Sequence, residues 1–208
     1  MREKISQIAL GLFIRDGLKR TTMDQLALEL GISKKTIYQF FASKEALIEA
    51  CVTEVNTLVL LHLDFIKERN FSAIKELFEL KYYIEILIKF SFSSVVTEYS
   101  RFYTKIEAKQ KKFLLKKIGP YIEGNIQKGM NEGVYKSDSD SEFCTWSFLS
   151  LISSKFSFVY EADYETLREH TMEFYLQAIA TEKGNQEFKV CRDNYFNENS
   201  LGDLVRVI

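Results

Sequence analysis

One proline, nine glycines and three cysteines are all that this 208-residue chain holds of the residues that interrupt or cross-link folds. So few breakers among abundant Leu, Ile and Phe favour an all-helical protein, and 46% apolar content supports a real core. Cys51, Cys144 and Cys191 are far apart and form no C-x-x-C pair. They read as reduced cytoplasmic thiols, with Cys51 and Cys144 as core filler. His62 and His170 are the only histidines, and neither has metal-ligand spacing around it. No G-x-S-x-G, H-E-x-x-H, P-loop or dinucleotide fingerprint occurs. The chain is therefore not expected to be an enzyme, with no catalytic residues, metal or cofactor. The N-terminus lacks an apolar signal core, and no stretch approaches the roughly 18 apolar residues of a membrane span. A cytoplasmic protein without a membrane partner is expected. Net charge is −1, but residues 1–50 carry eight Lys/Arg against six Asp/Glu, while the remainder carries twenty against twenty-three. A mildly positive head on a mildly negative body fits local contact with a polyanion.

What is present in strength is residues 21–47, TTMDQLALELGISKKTIYQFFASKEAL. Thr22 and Gln25 stand in capping-box spacing, and Met23, Leu26, Ala27 and Leu30 recur on one helical face. Gly31 suits a left-handed helix end, and Ser33 and Ser43 are good N-caps for two further helices. Two short helices around a three-residue turn with a glycine have helix-turn-helix spacing. With Ile37, Phe40 and Phe41 on the core side of the second helix, Lys35 and Gln39 point away, flanked by Thr36 and Tyr38. That face offers a cation, an amide, a hydroxyl and a phenol without a carboxylate, groups that bond phosphates and base edges. Lys44, in the first turn of the next helix, is disfavoured there by the helix dipole unless it helps bind a phosphate.

From the first helix onward the pattern resembles the DNA-binding domain of the TetR family of transcriptional regulators. Matching positions include Phe13, Gly17, Thr21, Thr22, Ala27, Gly31, Ser33, Tyr38, Phe41, Lys44 and Leu47. The resemblance implies phosphate contacts from Thr22, Tyr38 and Lys44 and base reading by the recognition helix. The DNA-binding set is thus Thr22, Ser33, Lys34, Lys35, Thr36, Tyr38, Gln39 and Lys44. Lys35 stands where such proteins often have glycine or another small residue, so no relative's target sequence carries over.

The expected architecture is all-α, a three-helix helix-turn-helix domain over residues 1–47 and a larger helical effector-binding and dimerisation domain over 48–182. The role of residues 183–208 is left open between disorder and an element packed on the body. The first helix is expected over 2–16 and a long connector over 44–69, apolar all round and buried on several sides where it enters the body. Further helices are expected over 72–90 and 91–103, and over 105–133 with a break or kink near Gly119-Pro120. Two more follow at 141–160 and 164–181. The lysines between 105 and 117 read as a solvated face. Phe78, Tyr82, Tyr99, Phe102, Tyr103, Phe113, Tyr121 and Trp146 suit a partly polar pocket for a small amphipathic effector. The resemblance implies that the last two helices pair with their copies in a homodimer and that the partner is a double-stranded operator. The alternative is a helical dimeric small-molecule-binding protein or scaffold without sequence-specific DNA binding.

Overall fold

The computed structural model describes residues 1–80, 103–153 and 164–198. Helix α1 (Arg2–Asp16) lays Ile5, Ala9, Leu12 and Phe13 against the core, and Gly17 follows it. Helices α2 (Met23–Leu30) and α3 (Lys34–Phe40) come next, then the 25-residue α4 (Lys44–Glu68). At about 1.5 Å per residue α4 is nearly 40 Å long and is the spine of the molecule. Its head end is tied to α1: Ser6 Oγ donates to Glu54 at 2.5 Å, and the Cys51 thiol points at the Ser6 carbonyl at 3.4 Å. The boundary expected between residues 47 and 48 therefore falls inside one continuous helix.

Two expectations about α4 are corrected. It is not buried on several sides where it enters the body: Leu58, Leu61 and Phe65 are exposed, opposite the buried Val55, Val59, Leu63 and Ile66. It is also long and apolar enough to cross a membrane by length and composition alone, with a mean hydropathy of 1.5 over its best window. Counting uninterrupted apolar residues missed this, because Glu, Thr, Asn and His interrupt the run while its many Leu, Val and Ile keep the average high. The stripe packed on α1 and on the body is that of a core helix.

After Asn70, at a φ of 50°, the Ser72 hydroxyl accepts from the Lys75 amide and opens α5, described over residues 73–80. The helix expected over 91–103 lies outside the described residues, apart from Tyr103. Helix α6 (Thr104–Phe113) then runs through a π-helical turn, Leu114–Ile118, into α7 (Gly119–Asn131). The break or kink expected near Gly119-Pro120 takes the form of this π turn. Proline supplies no amide and crowds the carbonyl a turn earlier, and the wider turn accommodates both while Gly119 N–H donates to Leu114 O. The α6–α7 rod lies parallel to α4. Lys109 pairs with Glu49, Asn56 and Gln110 exchange two amide bonds of 2.9 Å, and Lys67 sits over Tyr121.

Asp140 caps α8 (Ser141–Ser153), accepting from the Phe143 amide, and α9 (Tyr164–Ile179) packs on it. Phe148 meets Tyr175 edge-on at 5.2 Å, and the Tyr175 hydroxyl donates to the Cys144 carbonyl at 3.1 Å. Residues 182–198, left open above, form a helix, α10 (Glu182–Glu198). Thr181 caps it, Phe188 stacks on Phe78 at 5.1 Å, and Ser72 bonds Glu187. A Cβ at Gly184 would lie 2.0 Å from the Val134 carbonyl oxygen, so only glycine permits this approach. Burial raises the pKa of all three thiols, Cys51, Cys144 and Cys191, which keeps them un-ionised and poor nucleophiles.

Candidate nucleic-acid interface

The head places its outward side chains by short local bonds. Thr21 is buried, and its hydroxyl donates to the Gly17 carbonyl at 2.8 Å, fixing the approach to α2. The Thr22 hydroxyl accepts from the Gln25 amide at 3.1 Å. Only half of the capping box forms, because Gln25 turns its amide to Asp16 at 2.7 Å. The Arg15 guanidinium, and to a lesser extent that bond, hold the Asp16 carboxyl below its ordinary pKa. Gly31 ends α2 at φ 64°, ψ 29°, the left-handed conformation the turn demands, with Ile32 N–H reaching back to Ala27 O. Ser33 then caps α3, accepting from the Thr36 amide at 3.0 Å.

Ile37 and Phe41 anchor α3, with at most 2% of either exposed, and Phe40 is half-buried. On the other side Lys35, Tyr38 and Gln39 are exposed, Tyr38 by 44%. Thr36 is half-buried and shares a 2.8 Å hydroxyl contact with Ser33. Three partners add detail to the predicted set. Lys34 donates to Asp24 at 2.7 Å, and that carboxylate keeps the ammonium pKa raised. Lys44 donates to the Leu18 carbonyl, so its place in the first turn of α4 has a structural reason besides any phosphate. Arg2 donates to Phe40 O at 2.6 Å and lies 4.3 Å over the Phe41 ring, closing the far end of α3. Sequence reasoning missed Arg2, because its partners stand 38 and 39 positions away. The one available signal was a helix whose last turn carries no cation of its own.

The face is that of a helix presented to a groove, and comparison decides whose. Residues 5–51 match the family described as bacterial regulatory proteins, tetR family. This helix-turn-helix is a TetR-family DNA-binding domain. The chain is accordingly a DNA-binding transcriptional regulator. Solved structures extend the likeness of fold to the body. A TetR-family regulator from Marinobacter aquaeolei superposes with a TM-score of 0.74 at 18% identity, covering 94% of this chain and 98% of that one. A transcriptional regulator from Cytophaga hutchinsonii gives 0.66 at 22% identity over 86% and 98%. One from Saccharomonospora viridis, solved in complex with choline, gives 0.68 at 20% identity over 87% and 98%. No curated protein matches the sequence.

In the body behind this domain a cleft of about 480 Å³ opens between α4 and α7, with α5 at its floor. Leu60, Leu63, Asp64 and Lys67 come from α4, Glu76 from α5, Lys117 from the π turn, and Pro120, Tyr121, Gly124 and Asn125 from α7. Of the aromatics expected to line a pocket, Tyr121 alone is among these residues. Phe78 is buried against Phe188, and Tyr103 and Phe113 are half-buried on and beside α6. Trp146 is 47% exposed, with its indole N–H on Glu142 at 3.4 Å. The helical period of α8 turns it outward while Cys144, Thr145, Phe148 and Leu149 fill the inside. Tyr82, Tyr99 and Phe102 lie outside the described residues.

The cleft floor is polar and bonded. Glu76 accepts from Lys128 at 2.7 Å and from Asn125 at 3.0 Å, and Asn125 also donates to Ala73 O at 2.9 Å. The Tyr121 hydroxyl is buried with no hydrogen-bond partner, and burial raises its pKa. His62, on the same helix as the cleft's α4 residues, stacks on Phe65, and desolvation lowers its pKa to about 4.

Proposed function

We propose that the protein is a cytoplasmic homodimeric repressor whose grip on a roughly palindromic operator weakens when a small molecule occupies the body. The outward face of α3 carries this reading, with Lys35, Tyr38 and Gln39 exposed and Ile37 sunk behind them. Gln39 and Lys35 would meet base edges, while Thr22, Tyr38 and Lys44 hold phosphates and Ser33, Lys34 and Thr36 flank the contact. A phosphate would compete with Asp24 for Lys34 and with the Leu18 carbonyl for Lys44.

Dimerisation is supported by exposed aromatics on α8 and α9. Phe143, Trp146 and Ser150 follow one another at i, i+3 and i+7, and Phe174 is 66% exposed. A second copy covering that stripe would set two recognition helices about 34–36 Å apart, one groove repeat. Residues 1–47 then read DNA, and 48–182 bind the effector and pair the protomers. Residues 183–208 contribute through α10, which buttresses α5. Occupation of the cleft would act through the α6–α7 rod on α4 at Asn56–Gln110 and Lys109–Glu49, shifting the population of head spacings.

The test is selection of bound sequences from random DNA by the purified protein. A consensus of two inverted half-sites supports the reading. A stable dimer that enriches no sequence would instead mark a small-molecule-binding scaffold.

A further inference from the structure

The cleft between α4 and α7 already accommodates a cation, one of the protein's own. The Lys67 ammonium lies 5.5 Å from the centroid of the Tyr121 ring. Lys67 is exposed, so this cation remains hydrated and can be given up, whereas Tyr121 is only 9% exposed and is held in the wall. Two carboxylates line the same cleft. Glu76, 7% exposed, lies in the floor, and Asp64 is on the rim. Lys128 and Asn125 take one acceptor position on each Glu76 oxygen, and a carboxylate offers about four in all. Leu63 supplies an apolar surface beside them. The volume, about 480 Å³, falls in the range of small-molecule sites, roughly 300–1,000 Å³.

We propose that the cleft binds a small organic cation of the quaternary-ammonium class. The ligand's head displaces the Lys67 ammonium from the Tyr121 ring and is balanced chiefly by Asp64, while Glu76, already paired with Lys128, adds its remaining acceptor positions. A weakly hydrated onium loses less on leaving water than lysine does, and it gains the ring face that lysine vacates. An anion would find Lys67 and Lys117 exposed on the rim, and Lys128 already paired with Glu76. The consequence for DNA rests on the effector reading above; the binding itself does not.

The experiment is calorimetric titration of the full-length protein with choline, with its neutral carbon isostere 3,3-dimethylbutan-1-ol, and with hexanoate. Choline should bind and the isostere should bind at least about tenfold more weakly, since it lacks the charge that the ring and carboxylates recognise. Lys67→Gln removes the resident competitor and should tighten choline about two- to fivefold, a gain that loss of packing does not produce. Asp64→Asn should weaken it, and Tyr121→Leu should abolish it. If Tyr121→Leu fails to fold, the gain in Lys67→Gln still decides. The proposal is overturned by no choline binding, by equal binding of the isostere, by tighter binding of hexanoate, or by no gain in Lys67→Gln. Adding selected operator DNA separates the two readings. Choline that binds without releasing DNA leaves the cation site standing and removes the ligand response. Release by hexanoate but not by choline does the reverse.

Discussion

The caps that open the helices of the head span three residues: Thr22 with Gln25, Ser33 with Thr36, Ser43 with Ala46. Those that position the body span fifty or more: Asn56 with Gln110, Lys128 with Phe71, Ser72 with Glu187. The head is thus a local solution, in which each cap satisfies the amides of its own helix and the face of α3 follows from the helical period. The body is a tertiary solution, in which each polar group on one helix finds its partner on another. Such links are where a bound molecule can be felt at a distance, because moving one helix moves its partner.

The sharpest way to break this comparison is to separate the protomers. Trp146→Glu combined with Phe174→Glu should give a monomer by sedimentation and lower operator affinity by about 10²-fold or more, the loss of avidity between two half-sites. The head itself should remain folded by circular dichroism. A dimer that survives both changes places the interface elsewhere.

Within the head, reading and gripping should come apart. Gln39→Ala or Lys35→Ala should cost about 1–3 kcal/mol of discrimination at one base position. Lys44→Ala should weaken all DNA alike and lower the salt slope by about one. Lys44 also bonds the Leu18 carbonyl, so this variant should melt slightly lower as well. Changed sequence preference in Lys44→Ala would falsify the phosphate assignment.

Smaller still is the link between the regions. A double-mutant cycle on Asn56→Ala and Gln110→Ala should return a coupling of about 0.5–3 kcal/mol in unfolding experiments. A coupling near zero would mean that the amide pair transmits nothing between α4 and α6. The least effect concerns pH. His62 has a folded pKa of about 4 against an ordinary 6.5, so the unfolded chain takes up a proton that the folded chain refuses. Its contribution to stability is complete above pH 6.5 and is lost as pH falls towards 4. His62→Leu should therefore flatten the decline in melting temperature across that window relative to the parent protein. An unchanged slope removes the desolvated histidine from the account.

The head was legible because its determinants are sequential. Thr22, Gly31, Ser33 and Ser43 cap or end helices at the positions their chemistry indicates, and Ile37 with Phe41 orients α3. What escaped there was long-range: Gln25 leaving the capping box for Asp16, Asp24 holding Lys34, and Arg2 reaching Phe40. In the body, helices with strong apolar periods were legible, but the destinations of their side chains were not. Trp146 read as pocket lining and lies outward, since aromatic content alone does not distinguish a cavity wall from an unpaired face. Pro120 read as a break or kink, and only the packed structure decides that a π turn keeps the rod continuous. Helix α10 was left open because it is largely polar; Gly184, Glu187 and Phe188 tie it to distant residues.

By itself the sequence determined the helical class, the ends of the first four helices and the chemistry that α3 turns outward. Each of these depends on residues within one or two turns of each other. Tertiary structure alone decided where the cleft lies, that Lys67 covers Tyr121, and that the α6–α7 rod runs beside α4. Such placements arise from packing among residues far apart in the chain, where many pairings suit the same hydrophobic pattern and only the assembled core selects one.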